Sequence, residues 1–169
     1  VKMEKDKTFL GYYQDKYVVG LSSGTSGNKG IYITPKEITK RLPAVFLARG
    51  GFPLRLLPYR ILFMLRVFSQ GFEDINSKVV SLNYLSTMED IHIVIKRMND
   101  LKINILMAPP SFIRELLPYK DEITMSIKRI MTYAEVLEEE DKNRFEQDFN
   151  TNVIEIYQAS EGQIASACK

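Results

Sequence analysis

The chain has 169 residues, 45% of them apolar and 26% charged, which fits one globular domain with a core of ordinary size. Its 23 basic and 21 acidic residues leave a formal net charge of +2, which argues against a dedicated nucleic-acid binder with its usual basic excess on one face. One cysteine, Cys168, and one histidine, His92, exclude a disulfide framework or a multi-Cys zinc site and argue against a Cys–His nucleophilic pair. A metal here must take oxygen ligands, which points to magnesium.

No secretory leader is expected from the charged opening Val1–Lys7, with no apolar run behind it. Tyr17–Ser22 reads as a strand, Ser22–Lys29 as a loop of small polar residues, and Gly30–Thr34 as a second strand. Pro35 suits the first turn of a helix to about Ala48, kinked at Pro43 and ended by Gly50-Gly51. Leu54–Gln70 reads as the next helix. The apolar stretch Leu54–Phe72 carries Pro58, Arg55, Arg60 and Arg66. Each arginine would cost roughly 2.5–3.5 kcal/mol near a bilayer centre. A buried or interfacial helix is therefore expected, with a cytoplasmic location and little reason for membrane contact.

Val79–Tyr84 reads as a strand. Thr87 is placed as the N-cap of a helix to about Asp100, with Glu89 and Asp90 in its first turn and Ile91, Ile95 and Met98 on one face. Ile103–Ala108 is a strand ended by Pro109-Pro110, after which Ser111 can cap a helix over Phe112–Leu117. Ile127–Tyr133 is a strand and Leu137–Phe149 an amphipathic helix, with Phe145 and Phe149 four apart. Val153–Tyr157 is a further strand, and Gln163–Cys168 starts another. This alternation predicts an α/β fold with a largely parallel sheet and helices on both faces. Ligands of such sheets gather at the carboxyl ends of the strands. The loops after Ala108, Tyr133 and Tyr157 are the ones to inspect.

Two segments carry chemistry. Ser22–Lys29 holds four hydroxyls, two glycines and a lysine in eight residues. Backbone N–H groups exposed by Gly24 and Gly27, hydroxyl donors and a cation suit a triphosphate; a polar hairpin turn has the same composition. The Walker A and dinucleotide-binding spacings both fail here. Near the other end, Tyr157-Gln158-Ala159-Ser160-Glu161 offers a ring for stacking, a hydroxyl for a phosphate and a carboxylate for magnesium; a strand ending in a polar turn is the plain alternative.

In their order, these residues resemble the adenylate-forming (acyl-AMP-forming) enzyme superfamily. Ser23, Gly24, Thr25, Ser26, Gly27, Lys29 and Gly30 match its phosphate-binding signature Ser-Gly-Thr-Thr-Gly-x-Pro-Lys-Gly, with the proline missing. Tyr157, Ser160 and Glu161 match Tyr-Gly-x-Thr-Glu, about 130 residues further on. Between them, Met131–Leu137 resembles the adenine-pocket segment through Ala134-Glu135, with Tyr133 where glycine is often found. Ala108-Pro109-Pro110-Ser111 and Ala134–Leu137 are similar to the phenylacetate–CoA ligase-like, capsule-biosynthesis-type branch. The resemblance runs from about Leu21 to Ala167.

The resemblance implies ATP-dependent activation of a small-molecule carboxylate as acyl-AMP with release of pyrophosphate, then transfer to a thiol such as coenzyme A. Lys29 and Glu161 take the catalytic roles, Glu161 as the ligand of Mg2+. Ser22, Ser23, Gly24, Thr25, Ser26, Gly27, Lys29, Ala134, Glu135, Tyr157 and Ser160 contact ATP, Tyr157 lying against the adenine and Ser160 meeting the α-phosphate. The family's ribose-binding aspartate and the lysine of its mobile C-terminal domain are not within residues 1–169. The chain is expected to be a single nucleotide-binding α/β domain, a fragment of the large N-terminal domain, weak or inactive on its own. A non-catalytic nucleotide-binding or protein-interaction fragment is the alternative, and a membrane-peripheral scaffold a third. His92 reads as a solvated or packing histidine, Cys168 as an inert thiol, Glu138–Asp141 as a helix N-terminus. Pro109–Phe112 suits either a wall of the acyl pocket or a helix start.

Overall fold

The computed structural model describes residues 13–21, 31–38, 41, 44, 52–65, 75–159 and 162–166. Strands β1 (Tyr17–Leu21) and β2 (Ile31–Pro35) pair antiparallel, with Leu21 opposite Ile31. Both predicted strands are thus present, while the predicted loop Ser22–Lys29 lies outside the described residues. Residues 36–38 are helical; most of the helix predicted to Ala48 lies outside the described residues.

The larger sheet has seven strands, built from β3 (Tyr59–Leu65), β4 (Ile75–Asn76), β5 (Val80–Ser86), β6 (Ile105–Ala108), β7 (Arg129–Thr132), β8 (Asn152–Ala159) and β9 (Gly162–Ser166). Their spatial order is β4-β5-β3-β6-β7-β8-β9. The five inner strands are parallel, and β4 and β9 join antiparallel at the two edges. The chain moves one way from β3 to β5, then returns past β3 to β6. The strand order therefore reverses between β3 and β6, where a crevice forms outside the carboxyl ends.

Parallel strands covered on both faces are apolar without alternation. Ile61–Met64, Ile105–Ala108 and Ile130–Thr132 are buried throughout. Alternate side chains serve two cores. Leu62, Met64, Leu106, Ala108, Ile130 and Val153 meet α1 (Ile91–Leu101), α2 (Pro110–Leu116) and α3 (Glu139–Phe149) through Val94, Ile95, Met98, Phe112, Ile113, Leu116 and Phe145. Tyr59, Ile61, Phe63, Ile105, Met107, Met131, Tyr133 and Ile156 form the opposite core, joined by Phe52 and Leu56. The helices packed on this sheet are thus unevenly shared: three α-helices and the 3-10 turn Leu117–Glu122 on one face, one 3-10 turn at Leu54–Leu56 near the other. Burying a side chain the size of Phe145 or Leu62 contributes about 1.5–3 kcal/mol.

Three local expectations change. Leu54–Gln70 is not a helix over its described part: after the 3-10 turn, Leu57 is extended and Tyr59–Leu65 is the interior strand β3. Pro58 removes an N–H and pushes Leu57 out of the helical region. A fully buried strand of seven residues also has no period to distinguish it from a buried helix. Arg55 and Arg60 therefore stand at the amino end of a strand, not along an apolar helix. Thr87 does not cap α1; Asp90 does, its carboxylate accepting from the N–H groups of His92 and Ile93. Ser111 does not cap α2, which starts at Pro110 with Pro109 ahead of it. Among the described residues, no helix is long and apolar enough to cross a membrane.

Candidate functional site at the carboxyl end of the sheet

Two of the three loops singled out from the sequence are tied together at this end. The loop after β7 runs through Tyr133, Ala134 and Glu135. Ala134 has a left-handed backbone, φ 66°, which reverses the chain within one residue. The turn brings the Glu135 carboxylate onto the start of α2. There it accepts from the Ser111 N–H at 2.9 Å and the Ser111 hydroxyl at 2.7 Å. Hydrogen bonds to an ionised carboxylate are the stronger kind. Ser111 thus serves Glu135 instead of its own helix, and Glu135 is held as a strut between the β6 and β7 loops.

Tyr133 reaches across the sheet. Its ring is buried in the second core and stacks on Phe63 with centroids 5.0 Å apart and planes 6° from parallel. Phe63 in turn meets Tyr84 edge-on at 5.8 Å. The Tyr133 hydroxyl donates to the Met64 carbonyl of β3, so the β7 loop is tied past β6 to the far side of the strand-order reversal. Burial pushes this phenol well above its ordinary value, and the Glu135 carboxylate adds to the rise. Tyr133 is therefore a neutral hydrogen-bond donor at any ordinary pH.

Strand β8 supplies the third part. Thr132 and Glu155 are the last paired positions of β7 and β8. Two residues beyond them come Ala134, already in the loop that leaves β7, and Tyr157, still on β8. The Tyr157 side chain is 65% exposed, which leaves its ring open to a ligand. The ladder between β8 and β9 shifts register between Tyr157 and Gln158, and Ala159 then pairs with Gly162.

Of the sequence-predicted site residues, Ala134, Glu135 and Tyr157 gather here. Ser22, Ser23, Gly24, Thr25, Ser26, Gly27, Lys29, Ser160 and Glu161 lie outside the described residues. Among the described residues, no three of His, Cys, Asp and Glu are grouped to hold a metal. His92 is exposed and pairs with Glu122 at 3.3 Å, edge-on to Tyr119. The anchoring roles of Tyr133 and Ser111 were not foreseen. The one signal for Tyr133 was its departure from the glycine of the motif it resembles.

The fold is the α/β fold of the adenylate-forming enzymes. A crystal structure of 2-hydroxyisobutyryl-CoA ligase, in an open conformation in complex with 2-HIB-AMP and CoA, superposes with a TM-score of 0.64 at 13% identity, over 88% of this chain and 37% of that one. The luciferase-like enzyme of the mealworm Zophobas morio gives 0.61 at 15% identity, over 90% and 36%. The inhibitor-bound N-terminal domain of FACL13 from Mycobacterium tuberculosis gives 0.58 at 13%, over 85% and 36%. The chain thus spans somewhat over a third of each of these structures. No family model matches the sequence, and no curated protein does.

Proposed function

We propose that this chain is the nucleotide-facing part of an adenylate-forming enzyme that activates a small-molecule carboxylate as acyl-AMP, releases pyrophosphate, and passes the acyl group to a thiol such as coenzyme A. What supports the reading is that Ala134-Glu135 and Tyr157, from two of the three sequence motifs, follow the paired ends of the neighbouring parallel strands β7 and β8 in a sheet with this fold. The loop that holds the third motif is bounded by Leu21 and Ile31, which pair with each other.

In this reading Ser22, Ser23, Thr25, Ser26 and Lys29 hold the phosphates, Ser160 donates to the α-phosphate, and the exposed Tyr157 ring receives the adenine. Glu135 keeps the β7 loop in shape, so that the backbone of Ala134 lines the pocket. Glu161 is the magnesium ligand, and the ion would neutralise phosphate charge as the carboxylate oxygen attacks. The protein's work is charge neutralisation and alignment of an in-line displacement. The phenylacetate–CoA ligase-like branch is the one its loops fit best, and the cytoplasm the compartment.

The test is ATP–pyrophosphate exchange against a panel of carboxylic acids, on this chain and on any longer protein that contains it, with Glu161→Gln as the control. Exchange that needs a particular acid and collapses in the control supports the reading; exchange indifferent to Glu161→Gln sinks the magnesium role. A second reading is nucleotide binding without turnover. ATP retention in equilibrium dialysis without exchange would single it out.

A further inference from the structure

The loops at the two ends of the sheet differ in charge. At the carboxyl end, the loops after β5 and β7 hold Glu89, Asp90, Glu135 and Glu138 and no Lys or Arg. At the amino end, residues 52–60, 77–80, 102–104, 126–129 and 150–152 hold Arg55, Arg60, Lys78, Lys102, Lys128 and the buried Arg129, and no Asp or Glu. Lys102 closes α1, where a cation complements the helix dipole. Arg55, Arg60, Lys78 and Lys128 lie on no α-helix, so that account does not cover them.

These segments form one surface. The Asn104 side chain donates to the Leu56 and Pro58 carbonyls and accepts from the Arg60 N–H, and its backbone carbonyl accepts from Lys128. The Tyr59 N–H donates to Val79, and the Tyr59 hydroxyl reaches the carbonyls of Phe52 and Pro53. Arg55 lies near enough to Arg129 to lower its guanidinium further, beyond the larger effect of burial. Three aliphatic side chains stand out from this scaffold: Leu54 at 79% exposure, Val79 at 53% and Leu57 at 41%. Carboxylates border this surface in the helical layer and in the connection to β7: Asp100 pairs with Lys96, Asp148 with Lys120 and Arg144, Glu122 with His92, and Asp121 stands beside Lys120.

We infer that the amino end of the sheet is a docking surface for an anionic lipid bilayer, with Leu54, Leu57 and Val79 entering the headgroup region and Arg55, Arg60, Lys78 and Lys128 meeting the lipid phosphates. Aliphatic tips ringed by long cationic side chains suit a fluid anionic surface, which adapts to them. A folded acidic partner would have to be shaped to receive them. Peripheral docking needs no spanning helix. It revises the sequence-based expectation of little membrane contact, because the three side chains come together only through the turn at Leu54–Leu56 and the pairing of β3 with β5. The carboxyl end, and the site proposed there, would face away from the bilayer. The inference stands or falls independently of the nucleotide reading.

Co-sedimentation of the chain with phosphatidylcholine vesicles, with and without phosphatidylglycerol, tests it. Partition onto the anionic vesicles alone, released by salt, is expected. Leu54→Ser should weaken it roughly tenfold, as for partial loss of a buried leucine. Lys78→Glu with Lys128→Glu should weaken it more than about twentyfold, at about fivefold for each basic residue at the surface. Lys96→Glu with Lys142→Glu makes the same change of net charge on the helical layer and should cost far less; circular dichroism checks that each variant is folded. Failure of the unaltered chain to partition overturns the inference. So does an equal loss in both double variants, or retention on poly-glutamate beads without binding to vesicles.

Discussion

Replacing Tyr133 by phenylalanine removes one hydroxyl and keeps the stack on Phe63. What is lost is the hydrogen bond to the Met64 carbonyl. At neutral pH this should cost about 1 kcal/mol, rising toward 2–3 kcal/mol if the buried carbonyl is left without another donor. For a chain of 169 residues, a loss of about 1 kcal/mol lowers Tm by roughly 2–4 °C. The phenol adds a second signature. Its folded value is raised, first by burial and then by the Glu135 carboxylate, whereas in the unfolded chain it titrates near 10. Below about pH 10 the contribution is fully present. Above it the unfolded chain has released the proton that the folded chain retains, so the unfolded state binds fewer protons and stability falls. The slope is about 1.4 kcal/mol per pH unit and persists until the raised folded value is reached. Urea unfolding followed by circular dichroism, at about pH 7 and in steps from about pH 9 to about pH 11, measures both. The difference between the two proteins cancels the titration of every other group. The native protein should lose its advantage over Tyr133→Phe as pH rises past about 10; parallel alkaline slopes in the two would refute the buried, neutral donor.

Other substitutions test separate parts of the structure. Phe145→Ala empties the fully buried centre of the helical core and should cost about 3–5 kcal/mol in urea unfolding. Asp90→Ala removes the cap of α1 and should cost about 1 kcal/mol; Thr87→Ala should cost much less, and the reverse order would restore Thr87 as the cap. Asn104→Ala withdraws three hydrogen bonds at the strand amino ends and should cost about 2–3 kcal/mol, read as a Tm shift of several degrees. Glu135→Ala should speed hydrogen exchange at Ser111 and through residues 133–136. A double-mutant cycle with Ser111→Ala should give a coupling of about 1 kcal/mol, and additive losses would dissolve the strut.

Much of the fold could be read from the chain because its helices are short and amphipathic and its turns are marked by Pro, Asn and Gly. Ile91, Ile95 and Met98 at helical spacing, and Phe145 four before Phe149, placed two helices, the first with its cap three residues too early and the second with its start two residues too early. The interior strand β3 could not be read in the same way. Tyr59–Leu65 is buried on both faces, so the period that separates strand from helix is absent, and only Pro58 marked a boundary. The site was legible as spacing but not as contact. Nothing local in the sequence joins Ser111 to Glu135, or Tyr133 to Met64, 69 residues apart. Those ties exist only once β3, β6 and β7 stand side by side. Capping at Thr87 failed for a smaller reason: Ser, Thr and Asp all compete for that role, and Asp90 sits next to the first helical residue.

The placement of β3 inside the sheet, between β5 and β6, has a consequence during synthesis. Its two neighbours, β5 and β6, lie after it in the chain, and β6 ends at Ala108, about 40 residues beyond Leu65. At translation rates of ~5–20 residues per second, the strand waits roughly 2–8 s for its second partner. Throughout that time the segment Tyr-Arg-Ile-Leu-Phe-Met-Leu is a short, apolar, β-prone stretch of the kind that self-associates. Pro58 and Arg60 sit where gatekeepers are needed: a residue with no N–H to offer a foreign strand, and a charge that resists stacking of identical copies. Replacing both would leave the nascent chain without that protection.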